Sequence, residues 1–172
     1  MRNDPKHKHG TSSLSSSFCR LLTDSWNIQH EELHLIQIGK IYSIDTSIFF
    51  SLMESPEEDY EYRLPYAKSE QERQLILNEI KMKEEKLAHN FPKVRETLLS
   101  LIEKLQDIPN LPQLLKESPN EQSALASYFA DFNSNPGDGY IGNNFGQDLR
   151  SFKKYLELAA SYGATRVWFS FG

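Results

Sequence analysis

Residues 69 to 105 hold the pattern that most restricts how this chain folds. Ser69-Glu-Gln-Glu72 is a capping box, with a hydroxyl placed to accept from the N3 amide and a glutamate placed to reach back. Leu75, Ile76, Ile80 and Leu87 follow at the spacing of one helical face, so a helix is expected to about His89. Glu79 and Lys83 stand four residues apart with the acid first, the favourable order for a pair along a helix. Asn90-Phe-Pro92 interrupts, because proline lacks an amide donor and crowds the preceding turn. Val94, Leu98, Leu101, Ile102 and Leu105 then form a second stripe. The break is short, so the two helices are expected as an antiparallel hairpin or one kinked rod.

Around this pair the periodicities are mixed. Leu14, Phe18, Leu21, Leu22 and Trp26 recur at helical spacing and predict a first helix. Between Leu33 and Ile44, the residues Ile36, Ile38, Tyr42 and Ile44 share one parity with Gly39 as a break, which reads as a strand or a short hairpin. Asp45 is placed to cap a short helix from Thr46 to Met53. The acidic stretch from Glu54 to Glu61 reads as a loop, and Tyr60, Tyr62 and Leu64 alternate like a short edge strand before Pro65. Asp107-Ile-Pro-Asn-Leu-Pro112 is a turn region. Ser118-Pro-Asn-Glu121 is a second capping box, with proline at N1, ahead of Leu125, Tyr128 and Phe129. Leu149, Phe152, Tyr155, Leu156 and Ala159 mark a last helix, with Gly163 where a C′ glycine belongs. Val167, Phe169 and Phe171 alternate within Thr165–Phe171, the signature of a strand.

The expected architecture is therefore α+β: a mainly helical single domain over residues 14–172, behind a disordered tail over 1–13. A small sheet is expected to join the N-terminal third to the C-terminal strand. A chain of 172 residues can bury roughly 70% of its unfolded surface, enough for a core without covalent staples. Mean hydropathy is −0.58, and no apolar run approaches the ~20 residues of a membrane span. The first residues, Met1-Arg-Asn-Asp-Pro-Lys-His-Lys-His-Gly10, lack the apolar segment of a secretory signal. Cys19 is the one cysteine, which excludes an internal disulfide and a zinc site built on several thiolates. A soluble cytoplasmic protein is expected, with no membrane partner, no cofactor and no metal; composition sets no oligomeric state.

Net charge is −5, which argues against nucleic acid as the main ligand, since phosphate recognition needs a basic stripe. The excess is concentrated. Glu54, Glu57, Glu58, Asp59 and Glu61 run together with no base before Arg63, interleaved with Tyr60 and Tyr62. Carboxylates steer a cationic partner, and tyrosines add contact area at low entropic cost. Glu57, Glu58, Asp59, Tyr60, Glu61 and Tyr62 are accordingly the expected contacts for a basic protein partner. They imply a non-catalytic binding module of the inhibitor, immunity or adaptor kind. The plainer alternative is a hydrated loop.

Four of the eight glycines fall within residues 131–146, among four asparagines and a proline. Gly137-Asp-Gly-Tyr-Ile-Gly142 matches G-x-G-x-x-G, but no strand precedes it and no helix opens directly after it, so nucleotide binding is not implied. Asp131, Asn133, Asn135 and Asp138 offer oxygens at near-alternate spacing. However, Pro136 replaces the turn glycine of a calcium loop and Gly142 its final acid. A ligand loop of Asp131, Asn133, Asp138, Gly139 and Tyr140 remains the alternative reading, a small hydrolase or transferase in which the aspartates meet a histidine. Cys19 is a nucleophile only if His30, His34 or His89 comes within reach; otherwise it is a packed thiol. His30 and His34 have i,i+4 spacing but lack a third metal ligand, and His7 and His9 lie in the tail. No residue is assigned a catalytic role.

Overall fold

The computed structural model describes residues 14–23, 33–115, 124–134 and 144–169. In chain order these form α1 (Ser16–Thr23), α2 (His34–Tyr42), α3 (Ser47–Ser51) and α4 (Pro56–Glu58). A π turn (Asp59–Arg63) and a 3₁₀ turn (Leu64–Tyr66) continue α4 without a gap. Then come α5 (Glu70–Leu87), α6 (Phe91–Leu105), α7 (Leu111–Leu114), α8 (Ala124–Phe129) and α9 (Phe145–Ser161). Among the described residues there is no strand, so the expected α+β fold with a small sheet is corrected to a helical one. The expected tail over 1–13, the second capping box at Ser118 and the segment 135–143 lie outside the described residues.

Each misplaced strand has a physical cause. In α2 the residues Leu35, Ile38 and Tyr42 turn inward at helical spacing, and the shared parity of the isoleucines is incidental to it. Gly39 is not a break. A Cβ there would stand 2.6 Å from the Ile44 carbonyl oxygen, so glycine lets the chain after α2 fold back onto the helix. Ser43, in the left-handed region at φ 55, makes that reversal. Tyr60, Tyr62 and Leu64 do not alternate across a sheet, because they sit on the π and 3₁₀ turns. The C-terminal residues 165–169 form neither helix nor strand, and no strand among the described residues receives them. The Asn90 side chain does so instead: its Nδ2 donates to the Val167 carbonyl at 2.8 Å and its Oδ1 accepts from the Val167 amide at 2.9 Å. The Phe91 amide bonds the Thr165 carbonyl, and the Phe169 amide bonds the Leu52 carbonyl, so the segment is held by helix ends.

The capped helices follow the sequence. Ser69 accepts from the Glu72 amide at 3.1 Å, while the Glu72 carboxylate reaches back one residue further, to the Lys68 amide. Pro92 stands in the first turn of α6, where its missing amide costs nothing. Gly163, at φ 74, closes α9. α6 and α9 form the most extensive helix pair. Their buried faces, Val94, Leu98, Leu101 and Leu105 against Leu149, Phe152 and Leu156, join Phe18, Phe49, Phe129 and Phe145 in one apolar cluster. Ile76, Ile80 and Leu87 of α5 are buried outside that cluster, and α5 packs chiefly on α4 and the two turns that follow it. The molecule thus has a main core and a satellite layer over residues 54–87.

Replacing Asn90 tests the helical account of the C-terminus. Asn90→Ala leaves a buried amide and carbonyl of Val167 without partners, at about 1–3 kcal/mol for each group. Urea unfolding should show a loss of roughly 2–6 kcal/mol with an unchanged denaturant slope. A loss below ~0.5 kcal/mol would mean that a strand pairing supports this segment instead.

Candidate functional site

The π turn arises beside a proline. Pro65 has no amide to continue an α-helix, and its ring crowds the carbonyl four residues earlier, that of Glu61. The backbone widens ahead of it, and the Leu64 amide bonds the Asp59 carbonyl five residues back. Single π turns are frequent at functional sites. This one contains four of the six residues expected to contact a partner: Asp59, Tyr60, Glu61 and Tyr62.

Asp59 differs from the other three, which are exposed. It is buried, and its carboxylate binds Lys83 Nζ at 2.5 Å and Arg63 Nη1 at 2.9 Å. Arg63 also reaches Glu79 at 2.8 Å, and Lys86 pairs with Glu54. Glu79 and Lys83, expected to pair with each other along α5, both turn to this hub. Burial pushes the Asp59 carboxyl up, but the hydrogen bonds and charges of Lys83 and Arg63 outweigh it and hold the group below its ordinary range. The ion-paired hub supplies α5 with a fixed position as well as added stability.

Outside the hub the segment is polar and aromatic. Tyr60 and Glu61 are exposed, and Glu57 and Glu58 are half-buried and make no ion pair among the described residues. Tyr66, Met82, Tyr62 and Leu75 are 75%, 69%, 68% and 63% exposed, the four highest values for large apolar side chains among the described residues. All four lie within residues 62–82. Leu75, expected on the buried face of its helix, points outward. It stands seven residues from Met82, two turns along the same side of α5. Ten acids and six bases fall between residues 54 and 86, so this stretch carries four of the chain's five net negative charges.

The glycine-rich segment is anchored at both ends. Asn144 caps α9 by accepting from the Gln147 amide, and its Nδ2 donates to the carbonyls of Ala130 and Asp131 at 3.0 Å. Arg150 donates to the carbonyls of Phe132 and Ser134 at 2.8 and 2.6 Å. A Cβ on Gly146 would fall 1.9 Å from the Phe132 oxygen, so the chain crosses α9 in direct backbone contact. Four carbonyls that an oxygen-seeking cation would use are thus engaged by side-chain donors. Asp131 is exposed with φ 51, and Asn133 donates to the Gln106 carbonyl at 2.6 Å. Asp138, Gly139 and Tyr140 lie outside the described residues, as do His7, His9 and His30.

A second buried carboxylate, Asp148, lies in the main core. Oδ1 accepts from the Ser15 amide at 2.9 Å, and Oδ2 accepts from the Ser15 hydroxyl at 2.5 Å and the Tyr128 hydroxyl at 2.8 Å. No cation pairs with it among the described residues, and burial raises its carboxyl above the ordinary range despite these donors. Burial and the nearby Asp148 charge raise the Cys19 thiol as well, the reverse of an activated nucleophile. Ser15, Tyr128 and Asp148 are all enclosed. The His34 ring lies against Phe129 at 5.7 Å, and His89 is exposed just past the end of α5. An acid and two hydroxyls are therefore enclosed together among the described residues, while the Cys19 thiol is half-buried. A shallow cleft of about 480 Å³ between α2 and α3 is lined by Ile36, Ile44 and Phe50 with Lys40 and Asp45 at its edge, and holds neither histidine nor cysteine. Among the described residues no group of three or more histidine, cysteine or acidic side chains is placed to hold a metal ion, and no helix is long and apolar enough to cross a membrane.

No protein-family model, curated protein or solved structure matches the chain. Sequence reasoning missed Pro65, Tyr66 and Met82, and misplaced Leu75. The signal was present in Tyr62 and Tyr66, four apart around a proline, and in two apolar residues seven apart on one helix.

The two buried aspartates titrate with opposite consequences for stability. Asp59 is held low when folded, so its contribution is present above the ordinary carboxylate pKa of about 4 and is lost as pH falls through the folded value. Asp148 is raised, so its contribution is full below about pH 4 and is lost as pH rises through the folded value. Asp59→Asn should cost about 1–3 kcal/mol at neutral pH and flatten the acid side of the stability curve. Asp148→Asn should flatten the fall above about pH 4. Urea midpoints between pH 3 and 8 check both; the same pH response in the two variants would contradict the assignment.

Proposed function

We propose that the protein is a non-catalytic binding module of the inhibitor, immunity or adaptor kind, which receives a basic protein partner on the face of the satellite layer. The observation that carries this reading is the concentration of the four most exposed large apolar side chains in residues 62–82, within the stretch that holds most of the net charge. Interfaces favour tyrosine and methionine in their contact area, and opposite charge speeds and orients encounter. Glu57, Glu58, Tyr60, Glu61 and Tyr62 are the contacts, joined by Tyr66, Leu75 and Met82. Asp59 contributes differently, by fixing the turn that presents them. The raised Cys19 thiol speaks against a cysteine nucleophile.

Charge reversal separates contact from support. Replacing Glu57, Glu58 and Glu61 together by lysine should reduce capture of the partner from the native cell at least ~10-fold, a loss of about 1.4 kcal/mol. The melting temperature should stay within about 2 °C, as for surface substitutions. Asp59→Lys should instead lower the melting temperature by several degrees, because it places a third cation beside Arg63 and Lys83. Quantitative mass spectrometry of the captured material reads the outcome, and undiminished capture by the triple variant would end the acidic-face proposal.

A further inference from the structure

Resting on that reading, we infer that the partner presents an arginine-bearing segment, and that the rings of Tyr60, Tyr62 and Tyr66 distinguish arginine from lysine. The segment over residues 57–66 combines two features that one kind of cation satisfies together. It has exposed tyrosine rings, at 44%, 68% and 75% exposure, and glutamates beside them in the chain at positions 57, 58 and 61. A guanidinium stacks flat on an aromatic ring while its edge donates to a carboxylate; an ammonium is a hydrated point charge with no plane to stack.

The protein already uses this chemistry internally. Arg63, on the same π turn, spans two carboxylates at 2.9 and 2.8 Å. Arg166 lies over the Trp168 ring at 5.4 Å and Arg150 over Phe132 at 5.9 Å. Like charges oppose the pairing of this acidic stretch with its own copy on a second chain.

The probes are oligo-arginine and oligo-lysine peptides of equal length, titrated into the full chain at low and at physiological salt. The arginine peptide should bind roughly 3–10-fold more tightly. Replacing Tyr60, Tyr62 and Tyr66 together by leucine should abolish that preference while leaving the lysine peptide's affinity nearly unchanged. Replacement of the same three by phenylalanine, which keeps the rings, should retain it. Glu57, Glu58 and Glu61 changed to glutamine should weaken both peptides alike. Equal binding of the two peptides to the natural chain, or a preference that survives in the leucine variant, overturns this inference and leaves the acidic-face proposal standing. Failure of both peptides to bind at low salt overturns the two together. Circular dichroism of each variant confirms that the helices are intact.

Discussion

A carboxylate withdrawn from water must be compensated, and this fold does so twice by different means. Asp59 is compensated by charge, through Lys83 and Arg63, and the result positions α5 against the π turn. Asp148 is compensated by neutral donors, and the result joins the start of α1 to α8 and α9 across 133 residues of sequence. The first arrangement favours the ionised group, and the second leaves burial dominant. The satellite layer depends on the first and the aromatic core on the second.

This division explains how one part of the molecule can display side chains that the rest conceals. The main cluster is closed by aromatic packing, with Phe145 in ring contact with Phe18, Tyr128, Phe129 and Phe132. The satellite has only a narrow apolar seam, and ion pairs align it. Its outer side is therefore free to carry tyrosine, leucine and methionine. Rigid aromatic groups on a fixed backbone lose little entropy when a partner arrives. Pro65 completes the design by widening the helix where two of those tyrosines, Tyr60 and Tyr62, stand.

Helices were legible wherever an apolar stripe coincided with a cap: Ser69 before α5, Asn90 to Pro92 before α6, Gly163 after α9. The sheet was a misreading with a common source. Period-two patterns of a few residues, as at 36–44 and 60–64, coincide with parts of a helical stripe, and only length and context separate them. The C-terminal segment was read as a strand, but it is held by the side chain of Asn90, a long-range pairing that no local pattern displays. The acidic run was found, yet its members could not be sorted. Whether Asp59 faces out or in depends on Lys83, 24 residues away, and on a π turn set by Pro65. Asp148 and Ser15 gave no local sign of meeting.

Site-resolved titration of the aspartate carboxyl carbons by ¹³C NMR addresses the central claim most directly, because it observes each buried group without unfolding the protein. Asp59 should titrate below the ordinary aspartate range and Asp148 above it. Ordinary values for both, or the reverse order, would mean that neither group is compensated as described, and the fixed face on the satellite layer would lose its physical basis.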